Sequence, residues 1–381
     1  MAPRLSAVIL AAGLSSRMGD LKATMPLGTS TVLEHSLGLF RNCGIEDLVV
    51  VTGHRSEETG AVADRAGARV VHNPKFGSGM YSSIRIGVRH IAKRSNGFFV
   101  LPVDIPLVRP GTLKLLIRSF KASSTRVAYP TFDGKRGHPP LIARDLIPTI
   151  LKNDNQKGGL RSLLSKVEHK RPKQIVEISV PDANILFDMD TPEDYTTGLH
   201  RFTRLGYPTM QESAIILKLH PIPEKGLVHA RLVAKIAKAI CQAMIQNGRR
   251  ILDPELCRVC GWLHDIAKGK PNHEQEGGRL LRNLGFDRAA EIIAAHKDLD
   301  WLPGEILTEK EIVHLADKLA HGGKVVDIRV RFEEKLALHR DNPEAVEAIR
   351  RRYEKARQLA EAIERETGRR LHDIISECIV A

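Results

Sequence analysis

Two groups of residues in this chain have types and spacings that suit phosphate chemistry, one in each half. In the first half, Arg17 and Lys22 follow the run Leu10-Ala11-Ala12-Gly13. Small side chains there let backbone N–H groups approach an anion, and the two cations stand at the same mouth, as a polyphosphate site requires. The spacing is neither that of a GxxxxGK[ST] loop nor that of a GxGxxG turn. Asp104 ends the apolar stretch Leu101-Pro102-Val103. A carboxylate at such a strand end is costly unless it holds a metal or a hydrogen-bond network. Asp188 and Asp190, at i and i+2, share one side of an extended segment. Ser82 and Ser83 fall in the first turn of a helix entered through the turn Asn73–Met80, with Gly79 just before it, a place that suits a base or a phosphate. Lys135, Arg136 and His138 sit in a Gly-bounded basic loop, and with Arg85 they are candidates for gripping a second phosphate.

The second half carries His229, His264-Asp265, His273, His296 and Asp317. Imidazoles and carboxylates from several helices can converge on a divalent ion inside a bundle. An adjacent His-Asp pair on a helix spans about 100° of arc, so both side chains reach one metal. Such an ion lowers the pKa of bound water and polarises a phosphoryl oxygen, with Lys268 and Lys318 near enough in sequence to touch the phosphate. Taken alone, His296 on an apolar face reads equally as a structural histidine. Cys257 and Cys260 form a single CxxC without a second pair, and their i, i+3 spacing places them in a helix core. The stretch Arg350–Arg370 reads as a solvated helix with mixed-sign pairs.

The elements that must position these residues change in texture along the chain. Apolar runs at Ala7–Leu10, Asp47–Val51, Arg69–Val71, Gly97–Leu101, Val127–Tyr129 and Ile175–Ile178 alternate with helical patterns at Thr31–Asn42, Ser82–Ala92 and Gly111–Lys121. That alternation predicts a doubly wound α/β sheet with ligands at the carboxyl ends of its strands. From about residue 212 only the helical period remains, as in Leu232, Val233, Ile236, Ala237 and Ile240. Two domains, 1–205 and 206–381, are expected, with the second all-helical.

At 381 residues and 42% hydrophobic content, the chain has material for two ordinary cores. The net charge of +13 fits a handler of phosphorylated small molecules, since no basic stripe is interleaved with aromatics, which make up only 4%. Nucleic acid and membrane are therefore not expected partners. Five scattered cysteines and the lack of a secretory h-region or a spanning apolar stretch point to the cytoplasm.

Taken in order, the first-half motifs resemble the MobA-like nucleotidyltransferases, with Leu10-Ala11-Ala12-Gly13 looking like the cytidylyl-transferring branch. The resemblance implies a Rossmann-like sheet in which that loop wraps a triphosphate and Asp104 binds Mg²⁺. Asp188 and Asp190 would complete the metal end, with the ligating member of the pair left open. Its implied substrates are CTP and molybdopterin or Mo-molybdopterin, with pyrophosphate released and an apo-molybdoenzyme receiving the product. Arg85, Lys135, Arg136 and His138 would then face the pterin phosphate or the departing groups. A sugar- or polyol-phosphate acceptor is the alternative. The second-half series resembles the HD-domain phosphohydrolases. His229, His264, Asp265 and Asp317 match a one-metal ligand set, and His273 and His296 match the extra histidines of two-metal members. The ion would be divalent, such as Mn²⁺, Fe²⁺ or Mg²⁺, and the alternative role is a nucleotide-sensing module without turnover.

Overall fold

The computed structural model describes residues 3–120, 124–153, 158–248 and 251–380. They fall into two compact units, Met1–Leu205 and Gly206–Ala381. Each is built around its own core.

The first unit centres on an eight-stranded sheet. Across it run Ile175–Ser179, Val127–Phe132, Leu141–Ala143, Gly97–Pro102, Leu5–Ala11, Asp47–Thr52 and Arg69–His72, with Lys135–Arg136 paired to Val127–Phe132. The strand Leu5–Ala11 is parallel to both neighbours, and Ala7, Val8 and Ile9 are fully buried. Helices on both faces leave no polar side to such a strand, which explains its continuous apolar run. The alternation of the sequence is therefore realised as a doubly wound sheet. One difference is Leu141–Ala143, which runs antiparallel between Gly97–Pro102 and Val127–Phe132 and makes the sheet mixed. Its three residues are too few to show a period of two. The helix expected over Gly111–Lys121 spans Pro110–Ser119, and Lys121 lies outside the described residues.

Register places the chemistry. Leu10 lies opposite Val51 on one side and Pro102 on the other, so the loops after three strands meet at one edge. The Val103 N–H donates to the Leu10 carbonyl at 3.1 Å, which draws the segment bearing Asp104 against the first loop. Gly53 permits that crowding: a Cβ there would come within 2.6 Å of the Ala12 carbonyl oxygen.

The second unit is helical, with one departure: Ala320–His321 and Lys324–Val325 form a two-residue-per-strand hairpin. Its long helix Glu224–Gln246 buries Val233, Ile236, Ala237 and Ile240. The helix Pro254–Leu263 lies against it at Gly261, where a Cβ would sit 2.8 Å from the Ala234 Cα. Likewise Gly278 lets His273–Leu284 approach Asp287–Ala295, since a Cβ there would be 2.8 Å from the Ala290 carbonyl oxygen. Two glycines thus bring together the helices whose ends carry the histidines. Cys257 and Cys260 are fully buried, as a core CxxC should be, and burial pushes both thiols well up. No helix among the described residues is long and apolar enough to cross a membrane.

Candidate functional site

In the first unit, Leu10, Ala11, Ala12 and Gly13 line a cavity of about 330 Å³, joined there by Lys22, Gly79, Ser83 and Asp104. Among the described residues, no acceptor takes the backbone N–H groups of Gly13, Leu14 and Ser15, so they are free to meet an anion. Ser15 holds a left-handed φ of 52° and closes the turn by accepting from the Met18 N–H at 3.0 Å. The Lys22 ammonium is buried and donates to Asp190 at 2.6 Å, while Asp104 lies 3.4 Å away. Arg17 reaches the other Asp190 oxygen at 2.6 Å from an exposed position and does not line the cavity. The Lys22 hydrogen bond keeps the Asp190 carboxyl below its ordinary pKa. Burial pushes Asp104 up, with Lys22 opposing it.

These oxygens suit Mg²⁺, which favours one or two carboxylates plus substrate phosphates over a closed protein cage. Asp190 and Asp104 converge on one ammonium, and a divalent ion would share their oxygens with it. Asp188 is exposed, and its charge acts on His138 together with that of Asp104. The segment bearing Asp188 and Asp190 lies outside any regular strand. It is held by the Met189 N–H, which donates to the Asp104 carbonyl at 2.8 Å.

Ser82 does not line the cavity. Its hydroxyl accepts from Asn73 at 2.9 Å and donates to the carbonyls of Lys75 and Gly79. Asn73 is the residue that sequence reasoning missed. Fully buried, it donates to Ser82 and Ser83 and accepts from the Lys75 N–H, so it fastens the turn to the helix Met80–Arg89. Asparagine ahead of Pro-Lys was the available signal, because Asx turns favour that position.

A second cavity of about 780 Å³ shares Met80 and Pro102 with the first and is lined by Lys135, Arg136 and His138. Arg136 is held between Glu168 and Glu177, each at 2.6 Å. Arg85 donates to the Leu151 carbonyl and lines neither cavity. Burial lowers the pKa of His138, whose Nδ1 is enclosed without a hydrogen-bond partner among the described residues.

In the second unit, all six predicted metal-binding residues meet. His229, His264 and Asp265 can offer ligand atoms within 4.8 Å of one another, and so can Asp265, His273 and His296. Asp265 is common to both groups. Asp317 lies 3.1 Å from His229 Nε2 and 3.7 Å from His264 Nε2. The pair His264-Asp265 stands just past the end of Pro254–Leu263, a correction to its expected place on a helix. Neighbouring rings stand 5.2 Å apart for His229–His264 and for His264–His296, and 5.4 Å for His273–His296.

Outer hydrogen bonds select the tautomers. His264 Nδ1 bonds the Gly261 carbonyl at 2.8 Å, and His296 Nδ1 bonds the Ile293 carbonyl at 2.6 Å. Each Nε2 therefore presents a lone pair inward, the arrangement of metal-ligating histidines. The His264 Nε2 is buried without a hydrogen-bond partner among the described residues, so the donor set fits a metal. Burial works against charge on Asp265, but His264, when its ring carries a second proton, and Lys268 outweigh it and hold the carboxyl well below its usual range. Burial pushes His296 down to about 4. Lys268 and Lys318 hold Asp265 and Asp317 at 2.5 and 2.7 Å.

Comparison with known proteins agrees with this division. Residues 7–172 match the MobA-like NTP transferase domain, and residues 226–322 match the HD domain. The molybdenum cofactor cytidylyltransferase of Escherichia coli is 26% identical over 203 residues, 53% of this chain and 98% of that protein. A probable molybdenum cofactor guanylyltransferase of Mycobacterium avium is 28% identical over 50% of this chain and 93% of its own length. The nicotine blue oxidoreductase of Paenarthrobacter nicotinovorans is 29% identical over 50% and 94%. These relatives span about half of the chain. Residues 7–172 thus form a MobA-like NTP transferase domain, and an HD domain over residues 226–322 follows it in sequence.

Proposed function

We propose that the first unit transfers cytidylyl from CTP to molybdopterin or Mo-molybdopterin, and that the second is a metal-dependent phosphohydrolase. The observation that carries the first reading is the meeting of Asp104 and Asp190 on Lys22, which with Asp104 lines the cavity shared with Leu10–Gly13. The acceptor phosphate needs no strong base, being mostly dianionic at neutral pH with a second pKa of about 6. It attacks the α-phosphorus, and pyrophosphate leaves.

Work of this kind is alignment and charge neutralisation. Free N–H groups of the first loop and Lys22 bind the phosphates, and Arg17 holds Asp190 in place. Asp104 and Asp190 would hold Mg²⁺, which supplies further charge neutralisation on the phosphates. The adjoining cavity with Lys135 and His138 would take the acceptor. In the second unit His229, His264, Asp265 and Asp317 would hold one divalent ion, with His273 and His296 sharing Asp265 for another. Such ions supply an activated water. Cytoplasmic action, delivery to an apo-molybdoenzyme and Mn²⁺, Fe²⁺ or Mg²⁺ in the second unit belong to the same reading.

The cytidylyltransferase and guanylyltransferase matches have similar identity, so base choice is the point to test. Purified protein with Mg²⁺ and molybdopterin should release pyrophosphate with CTP at least about tenfold faster than with GTP or ATP, a gap worth roughly 1.4 kcal/mol. Equal turnover with all three would overturn the cytidylyl assignment.

A further inference from the structure

The cavity over the histidine cluster encloses about 690 Å³, far more than one phosphate needs. Its wall includes Arg331, Lys335 and Arg352 besides Lys268 and Lys318, against the carboxylates Asp265 and Asp317. Lys268 and Lys318 are paired with those carboxylates, and Arg352 is paired with Asp298 at 2.7 Å. Lys297 is paired with Glu274 at 3.6 Å and Lys225 stands on the separate helix Glu224–Gln246, which leaves Arg331 and Lys335 as two cations on one helix. They stand at i and i+4 on the helix Ile328–Leu338, and Phe332 between them packs on Tyr353 with ring centroids 5.5 Å apart. This helix follows residue 322, where the match to the HD domain ends, so the family match does not account for it.

The electrostatics of the pair are unbalanced. Among the described residues, no carboxylate forms an ion pair with Lys335, whose nearest partner is the Phe332 ring at 5.5 Å. Burial, then Arg331 and Lys318, push its pKa down to about 8. Arg331 donates to the carbonyls of Asp317 and Ala320 and lies 3.7 Å from the Asp317 carboxylate, while its buried Nε has no partner among the described residues. Partly buried cations crowded together without enough anions are costly, and a bound anion removes that cost.

We propose that Arg331 and Lys335 form a second anion subsite beside the metal-ligand cluster, selecting phosphoanhydrides, compounds with two linked phosphates, over phosphate monoesters. This assignment rests on reading the second unit as a phosphohydrolase. One phosphate lies at the histidine–aspartate cluster and its neighbour lies against Arg331 and Lys335. The oxygen of water bonds to the phosphorus at the cluster as the bridging P–O bond breaks. The bridging oxygen leaves on the phosphate held by Arg331 and Lys335. One proton of the water ends on a phosphate, and near neutrality the other goes to solvent.

The test compares CDP with CMP as substrates of the full-length, Mn²⁺-loaded protein, reading initial phosphate release. Wild type should favour CDP in kcat/KM by about 100-fold, as hydrogen bonds from charged groups to a second phosphate allow. Lys335→Gln should cut that ratio about tenfold, and Lys335→Arg should restore it. A ratio unmoved by Lys335→Gln, or a preference for CMP, overturns the subsite. If wild type hydrolyses neither compound, the phosphohydrolase reading fails, and the subsite is judged by calorimetry with methylenediphosphonate. About tenfold weaker binding in Lys335→Gln would uphold the subsite, and equal binding in both proteins would overturn it.

Discussion

The two sites solve the problem of holding charge near phosphate in opposite ways. In the first unit Asp104, just past a strand end, and Asp190, on an irregular segment ahead of a helix, are already countered by Lys22 and Arg17. In the second, the donors are mainly imidazoles, two of which, His264 and His296, are buried at helix ends and locked by backbone carbonyls. Hard carboxylate oxygens balanced by cations suit an ion that arrives with its substrate, whereas fixed imidazoles suit an ion held beforehand. The contrast is between a site completed by its ligand and one completed by its metal.

The largest effect should come from exchanging damage between the two units. Asp265→Ala removes the carboxylate common to both ligand groups and should reduce phosphate-ester hydrolysis by about 10³-fold or more, along with retention of Mn²⁺ on gel filtration. Asp104→Ala should reduce pyrophosphate release from CTP by about 10²- to 10³-fold. Each variant should spare the other reaction. Loss of both reactions from one substitution would erase the contrast.

A smaller effect is expected where packing sets the second site. Gly261→Ala puts a methyl 2.8 Å from the Ala234 Cα, backbone that cannot swing aside. The variant should be destabilised by about 1–3 kcal/mol and should bind Mn²⁺ more weakly, by denaturation and metal titration respectively. An unchanged affinity would mean that the separation of His229 and His264 does not depend on that contact.

The smallest effect concerns His35, which packs edge-on against Phe202 at 5.5 Å and whose pKa burial lowers. Unfolded histidine takes its proton near pH 6.5, while the folded one resists until lower pH. The unfolded state then binds more protons, so stability is full above that pH and falls as pH drops toward the folded pKa. His35→Gln should flatten the decline in urea midpoint between pH 7.5 and pH 5. An equally steep decline in the variant would assign it to other groups.

Much of this arrangement was legible in residue order, and the gaps have physical reasons. Continuous apolar runs such as Ala7–Leu10 announce strands covered on both faces, and the structure brings together the six histidine and aspartate positions named for the second half. Leu141–Ala143 escaped notice because three residues carry no period. Ser82 faces its own turn instead of the cavity because Asn73 and two carbonyls claim its hydroxyl, a competition that spacing cannot show. Arg331 and Lys335 were hidden among many surface-like charges. The packing of Phe332 on Tyr353 and the bonds of Arg331 to the Asp317 and Ala320 carbonyls hold their helix at the cavity.

Asn73 has a consequence for how fast and how favourably the first cavity fills. Both of its amide hydrogens are committed to Ser82 and Ser83, its oxygen to Lys75, and its own N–H to the Thr52 carbonyl. The turn leading to Gly79 is therefore already ordered when the cavity is empty. An incoming nucleotide is spared roughly 1–2 kcal/mol of conformational entropy for each residue it would otherwise have to immobilise. Preorganisation of this sort leaves association governed by encounter more than by loop closure, with the rigid strap acting as a template for the incoming ligand.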